Sequence, residues 1–445
     1  MAIQAPAKIQ ILAPEILSEI FQYCFPEDDY RRSTRRLDHA PLLLGRVCSR
    51  WRTVSLSTPD LWCNFSIGQY PPVFVADCRK DLDATRVLIA RSASRPLSIF
   101  IQYDRNYSGR DLLPEIFDMI VSQSWRWKEI DMTVPIDFAN ILLAPFHAGT
   151  LPQLVNFDSV ILGEGSASGH SIHLSSAPRL QRFHHDTYAE GVHIDFGGPI
   201  HVIRSVDVIL FDNPRVSLSD LFTCLTHCPL LTKLDITIAE SSRNSLPREL
   251  PPTIQLSHLR ELSLWLFVGV DPCHLFDRLF LSALISLDLQ MHVDDDDDTY
   301  TDWPHLKSML SNSRPPLQTL LLHCVPISEA TLIECLSYTP CLISFTIGEM
   351  KCTDTTLERL TMDNTDTSRS FCPCLEEVEF GSESSFSELA MIAMILSRRS
   401  SANPTGTTTG NSLQFVNCGP SVTRSIRSNP DIAKCLEAGL KLNPY

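Results

Sequence analysis

The residues of this chain best suited to chemistry are few. They are a run of five aspartates at 294–298, the pairs His184–His185 and His323–Cys324, and a Cys372–Pro373–Cys374 motif. Each raises the question of a metal. Calcium loops interleave their ligands with a turn-forming glycine and close on a bidentate glutamate. The aspartate run has neither and reads as a solvated acidic loop. Zinc needs ligands that converge tetrahedrally. Neighbouring residues of a strand point to opposite faces, so neither histidine pair is expected to offer two ligands to one ion. The Cys-x-Cys has no second pair at zinc-finger spacing, and its thiols are expected in the core. There is no glycine-rich phosphate loop and no Gly-x-Ser-x-Gly turn. The expectation is a protein with no metal, no cofactor and no catalytic group of its own, one that works by binding.

Composition agrees with that. The chain has 445 residues, 44% hydrophobic and 20% charged, enough to build a core. Its length suits two or three domains, or one domain and a repeat array. The net charge of −15, from 52 acidic and 37 basic residues, opposes binding to nucleic acid or to anionic membranes. No secretory leader is expected, and no apolar run reaches the roughly 18 residues that a membrane span needs. The fifteen cysteines are odd in number and lie in apolar contexts such as Val47–Cys48. They read as reduced thiols of a cytoplasmic and/or nuclear protein rather than a disulfide framework.

The elements that would position a binding surface begin near the N-terminus. In the stretch LAPEILSEIFQYC, residues 12–24, apolar residues recur at Leu12, Ile16, Leu17, Ile20, Phe21 and Cys24, the spacing of one helical face. Pro14 suits the first helical position and Glu15 the positive first turn. A charged loop is expected over 26–40. A second helical face follows in Leu43, Leu44, Val47, Cys48 and Trp51, and Thr58–Pro59–Asp60 punctuates the chain before Leu61 and Trp62.

Taken together, Leu12-x-Pro14-Glu15-Ile16-Leu17-x-x-Ile20-Phe21, Val47-Cys48-x-Arg50-Trp51 and Leu56-Ser57-x-Pro59-x-Leu61-Trp62 resemble an F-box, in the form common in fungal F-box proteins. The resemblance covers residues 9–65, with Ala13 standing between Leu12 and Pro14 where the family usually has none or a proline. It implies docking to a Skp-type adaptor, and through it to a cullin–RING ubiquitin ligase. The matching adaptor-facing positions are Leu12, Pro14, Ile16, Leu17, Ile20, Phe21, Val47, Cys48 and Trp51. A domain of some 50 residues buries little surface alone, and a partner over one helical face would supply the missing burial.

Beyond residue 95 a phrase recurs: apolar-x-x-apolar-x-apolar, often after proline. Its first anchors are Leu154, Leu180, Leu231, Leu259, Leu284, Leu317, Leu342 and Leu375, and IRSVDV at 203–208 fills the one double gap. WKEIDM at 127 and PLSIFI at 96 extend the series backward. Spacings of 23 to 33 residues and this pattern look like a degenerate leucine-rich repeat. The expected fold is therefore α/β: a small N-terminal helical F-box over 9–65, a linker or first helical segment over 66–95, a curved leucine-rich-repeat solenoid over 96–420, and a capping helix over 429–445. Segments 217–229 and 328–340 should be return helices, and 241–253, 362–371 and 398–411 loops.

Residues between the anchors would face the concave side. The candidates for substrate contact are Asp158, Arg182, His184, Asp207, Lys233, Asp235, Glu261, Trp265, Asp288 and His323. The face is mostly acidic, which suits a protein substrate with a basic segment. With Arg182 and Lys233 as its only cations, it argues against recognition of phosphate, which calls for clustered arginines. The expected role is a substrate-recognition subunit of an Skp–cullin–F-box ligase. The alternative is an F-box scaffold that binds the adaptor without delivering substrates. A hydrolase on an α/β fold would require a deep pocket with convergent polar groups.

Overall fold

The computed structural model describes residues 12–25, 38–68, 75–104, 109–163, 166–187, 190–210, 216–239, 251–267, 269–292, 302–362, 371–400 and 412–443. The aspartate run lies outside them, as do 26–37, 241–250, 363–370 and 401–411 of the expected loops. The chain forms two compact units, residues 1–203 with 208–215, and residues 204–207 with 216–445.

The first unit opens with three helices, α1 (Pro14–Gln22), α2 (Leu44–Val47) and α3 (Ser49–Leu56). Leu17 and Phe21 on α1 are fully buried, and the Phe21 ring packs against Trp51 at 4.9 Å. Arg50 donates to the Leu12 carbonyl and ties the start of α1 to α3. The single second helix suggested by Leu43–Trp51 is broken. Cys48 is extended (φ −159°, ψ 170°), and its Sγ accepts the Trp51 N–H at 3.4 Å, so it caps α3 rather than continuing α2. Trp62 is buried, its indole N–H donating to the Ser55 carbonyl and its ring lying under Arg91.

The unit continues through β1 (Asn64–Gly68), α4 (Val75–Arg91), β2 (Leu97–Gln102), α5 (Leu113–Val121), β3 (Trp127–Pro135), α6 (Ala139–Ala148), β4 (Asn156–Leu162), β5 (Ser166–His173), β6 (Arg182–Thr187) and β7 (Glu190–Asp195). Strands β1, β2, β3, β4 and β6 pair in parallel in that order, and β5 with β7 form a parallel side sheet. Parallel neighbours joined by intervening helices make this α/β. Period-two burial follows: Phe157, Ser159 and Ile161 point in, Asp158 and Val160 out. Arg126 is wholly buried before β3, donating to the carbonyls of Ile89 and Arg95 and to Ser92 and Gln123 side chains.

Strand β8 (Ser205–Leu210) is divided between the units. The second unit runs through α7 (Leu218–His227), β9 (Lys233–Ile238), β10 (Ile254–Gln255), β11 (Glu261–Leu266), α8 (Cys273–Phe276), β12 (Leu279–Phe280), β13 (Ser286–Met291), α9 (His305–Ser313) and β14 (Thr319–His323). It ends with α10 (Glu329–Ser337), β15 (Ser344–Gly348), α11 (Asp354–Leu360), β16 (Glu377–Phe380), α12 (Glu388–Ser400), β17 (Phe415–Asn417), α13 (Pro420–Ile426), α14 (Pro430–Glu437) and β18 (Lys441–Leu442). Strands β9, β11, β13, β14, β15, β16, β17 and β18 form one parallel sheet in chain order. All eight predicted leucine anchors are buried at 1% exposure or less, each contributing roughly 1.5–3 kcal/mol by leaving water. The helices over 217–229 and 328–340 form as read, α7 with a Ser217/Asp220 capping box. Asn429 caps α14 as its side chain suggested, but the last described element is β18, which adds a strand after that helix.

A repeated contact fixes the register. The residue before each strand offers its carbonyl to two successive N–H groups of the next repeat: Arg204 to Thr232 and Lys233, Thr232 to Arg260 and Glu261, Arg260 to Ile285 and Ser286. A second ladder runs along the helix starts. Asp302 accepts from Ser328 N–H at 2.7 Å, Glu329 from Thr353 and Thr356 N–H at 2.8 and 3.2 Å, and Asp354 from Ser387 N–H at 2.7 Å. Glu388 accepts from the Ser425 hydroxyl. Asp302, Glu329 and Asp354 thus satisfy amides at the start of the following helix, where orphan donors are concentrated.

Glu329→Ala is expected to cost about 1–2 kcal/mol at pH 7, read from the urea midpoint. Burial opposes ionisation of Glu329, but the Thr353 and Thr356 donors outweigh it and hold its carboxyl below the ordinary range. The contribution is therefore complete above the unfolded carboxyl value of about 4.3 and fades as pH falls through the folded one. The gap between wild type and variant should close in acid, and a gap constant down to pH 3 would contradict the assignment.

Candidate functional site

The N-terminal helices divide their apolar residues between two uses. Leu17, Phe21 and Leu44 are buried, and Trp51 is half-buried against Phe21. Ile16, Ile20 and Tyr23 are exposed by 50%, 37% and 88%, and Val47 by 56%. On α1 the positions i, i+4 and i+7 form one stripe, turned roughly 100° from the Leu17/Phe21 stripe that faces inward. Pro14 and Cys48 are exposed and Leu12 is partly so. Of the nine matching positions, then, Leu17 and Phe21 lie inside the chain itself. Tyr23 was missed in the sequence, although its i+7 spacing from Ile16 was there to be read. Six of the thirteen exposed large hydrophobic side chains among the described residues fall between residues 16 and 56.

The strand residues chosen as substrate contacts face outward in both units. In the first, Asp158 on β4 and His184 on β6 are register partners, with His184 Nε2 and Asp158 Oδ1 3.8 Å apart, and Arg182 begins β6. In the second, Lys233 and Glu261 are register partners, and Asp235, Ser263 and Asp288 form the next row. Lys233 reaches Asp207 at 3.7 Å. Burial and then the Asp207 charge push the Asp235 carboxyl above its usual range, and burial does the same to Asp288 against the Gln290 hydrogen bond and His323. Half-buried carboxylates in that state favour an arriving cation. Trp265 lies beside Gln290, which in turn pairs with His323. A Cβ at Gly348 would meet His323 Nδ1 at 2.7 Å, so the glycine makes room for the imidazole.

The expectation for the adjacent histidine pairs holds for one of them. His184 faces out while His185 is buried. At His323–Cys324 it fails, because the strand ends at His323 and Cys324 takes a left-handed φ of 53°. Its Sγ turns back to 3.6 Å from His323 Nδ1. No group of three His, Cys, Asp or Glu side chains among the described residues is placed to hold a metal ion.

One arrangement escaped sequence reading altogether. On the side sheet Ser171 Oγ lies 3.0 Å from His173 Nε2, and His173 Nδ1 lies 2.8 Å from Asp195 Oδ2. Asp195 Oδ1 accepts the Gly197 N–H at 2.8 Å. The order of contacts is that of a nucleophile–base–orienter relay. Yet the His173 and Asp195 side chains are 40% and 39% exposed, whereas such relays gain their reactivity in a water-excluded site. Its evident work is to tie β5 to β7.

No family model and no curated protein matches the chain. Among solved structures it is similar to a chain of the crystal structure of the Rad7 and Elc1 complex in yeast, at 14% identity and a TM-score of 0.41, over 98% of this chain and 94% of that one.

Proposed function

We propose that the chain is a substrate-recognition subunit of an Skp–cullin–F-box ubiquitin ligase. The observation that carries this reading is the exposed stripe of Ile16, Ile20 and Tyr23, with Leu43 and Val47 also exposed, while Leu17, Phe21 and Leu44 are buried. The F-box resemblance of residues 9–65 names the occupant, a Skp-type adaptor. The repeat array is the part left free to hold a protein substrate, and the acidic rows of its outward face suit a basic segment. The subunit itself is non-catalytic. It raises the concentration of substrate beside the ubiquitin-charged enzyme, in the cytoplasm or nucleus, which suits fifteen cysteines none of which forms a disulfide.

The test is co-expression of the full chain with a Skp-type adaptor, beside an Ile16→Glu/Val47→Glu variant. Both side chains are exposed, so the variant should fold with unchanged circular dichroism. Sub-micromolar binding by wild type and a loss of about a hundredfold or more in the variant are expected, since each charge would be buried unpaired at the interface. A wild-type chain that does not bind the adaptor removes the reading.

A further inference from the structure

Strands β1, β2 and β3 turn Phe65, Ile67, Ile99, Ile101, Ile130 and Met132 into the core. Their opposite face carries two short rows in register, Ser66–Phe100–Asp131 and Gly68–Gln102–Thr133. The two rows line a cavity of about 40 Å³. Ser66 is only 5% exposed, yet its Oγ has no hydrogen-bond partner among the described residues. Buried hydroxyls are normally satisfied, and a guest in the cavity would satisfy this one. Gly68 keeps the second row open. Its φ is +71°, and a Cβ there would meet the Gln102 carbonyl oxygen at 2.0 Å. The Gly68 N–H donates to Asp81 Oδ2 at 3.2 Å, and the Tyr103 hydroxyl donates to the same oxygen at 3.0 Å. The end of β1 is thereby fixed to α4 and to the residue after β2.

We propose that this cavity binds the head of a primary alkylammonium ion, carried by a free amine or by a lysine side chain. Every polar side chain lining it can accept a hydrogen bond: the Ser66 and Thr133 hydroxyls, the Gln102 amide and the Asp131 carboxylate. None of the described lining residues is Lys, Arg or His, so the walls offer an anion no counter-charge. An alkylammonium brings three donors and no acceptor. Gln102 and Asp131 have interactions of their own, but a carboxylate's roughly four lone-pair sites leave room for another donor. Asp158 follows Asp131 on the next strand and extends the negative side. The half-buried Phe100 lies in the middle of its row, and an aromatic face attracts a cation. Size sets the limit. One water needs roughly 10–15 Å³, so about 40 Å³ takes a nitrogen and one or two methylenes. A single lining carboxylate makes a poor cage for a divalent metal. The proposal stands on this cavity and does not depend on the receptor reading.

The full chain, without adaptor, is titrated with n-butylammonium chloride and followed by saturation-transfer NMR of the ligand. n-Butanol, tetramethylammonium, potassium chloride and the peptide Gly-Gly-Lys-Gly-Gly are the other probes. Saturable binding of n-butylammonium, at least tenfold tighter than n-butanol or tetramethylammonium, is expected. Ser66→Ala should weaken it about fivefold or more without lowering the urea midpoint, because the hydroxyl it removes is unpaired in the folded chain. Asp131→Asn, checked for folding by circular dichroism, should weaken it at least tenfold. Peptide binding as tight as that of n-butylammonium would assign the group to a lysine side chain, and amine binding without peptide binding to a free amine. Both outcomes support an ammonium site. Absence of saturable n-butylammonium binding would overturn the proposal, as would binding unchanged in Ser66→Ala. Equal binding of tetramethylammonium, which has no N–H donor, would also overturn it. So would displacement by equimolar potassium, which would mean a site for an inorganic cation. Because no adaptor is present, these outcomes stand apart from failure of the adaptor experiment.

Discussion

Arg398→Met should destabilise the second unit by about 3–5 kcal/mol, as expected when a buried polar network loses one member. The Arg398 side chain is 97% buried on α12 and donates to three backbone carbonyls: Nε to Leu360 at 2.6 Å, Nη1 to Cys372 at 2.9 Å and Nη2 to Phe371 at 2.8 Å. Burial lowers its pKa to about 10, which leaves it charged at neutral pH. Leu360 closes α11 and Phe371 opens the approach to β16, so one planar group holds both ends of the intervening segment. Methionine fills much of the volume but leaves the carbonyls unsatisfied. Arg398→Lys keeps the charge yet cannot span three acceptors, and should fall between. Urea unfolding followed by circular dichroism reads the difference, and a methionine variant within about 0.5 kcal/mol of wild type would refute the role.

The second large effect is set by pH. His185 is fully buried on β6, its Nδ1 2.7 Å from Ser159 Oγ, its ring stacked on Phe183, and its Nε2 without a hydrogen-bond partner among the described residues. Burial, with a smaller contribution from the neighbouring His184, lowers its pKa to about 3. The unfolded chain takes up this proton near pH 6.5 and the folded chain does not, so stability is whole above about 6.5 and declines as pH falls toward 3. From pH 7.5 to 5.0 that single group should remove about 2 kcal/mol. In a Ser159→Ala/His185→Leu variant the loss over the same interval should be smaller by that amount, whatever its stability at pH 7.5. Parallel urea curves at the two pH values decide it. An equal acid loss in both proteins would show that His185 is not the responsible group.

The repeat anchors were legible because leucine at fixed spacing has one physical use, and every anchor is buried. Side-chain roles that depend on a neighbour in space were not. Arg398 reads as one of two basic residues ending a helix, and nothing in its local sequence says that it turns inward to carbonyls 26 to 38 residues earlier. Ser171, His173 and Asp195 come together only through the register of β5 and β7. In the N-terminal helices periodicity identified the apolar residues but not their allocation. Leu17 and Ile16 are equally hydrophobic neighbours, and only the packing of Phe21 against Trp51 decides which stripe turns inward.

The carboxylate ladder of the second unit also has a direction. At every step the acceptor, Asp302, Glu329 or Asp354, precedes its donor in the chain by one repeat. A polypeptide emerges from the ribosome N-terminus first. Each new helix therefore meets a finished template whose carboxylate is already waiting for its first amides. The array can grow by addition at its leading edge, without a long wait for a distant partner to be translated.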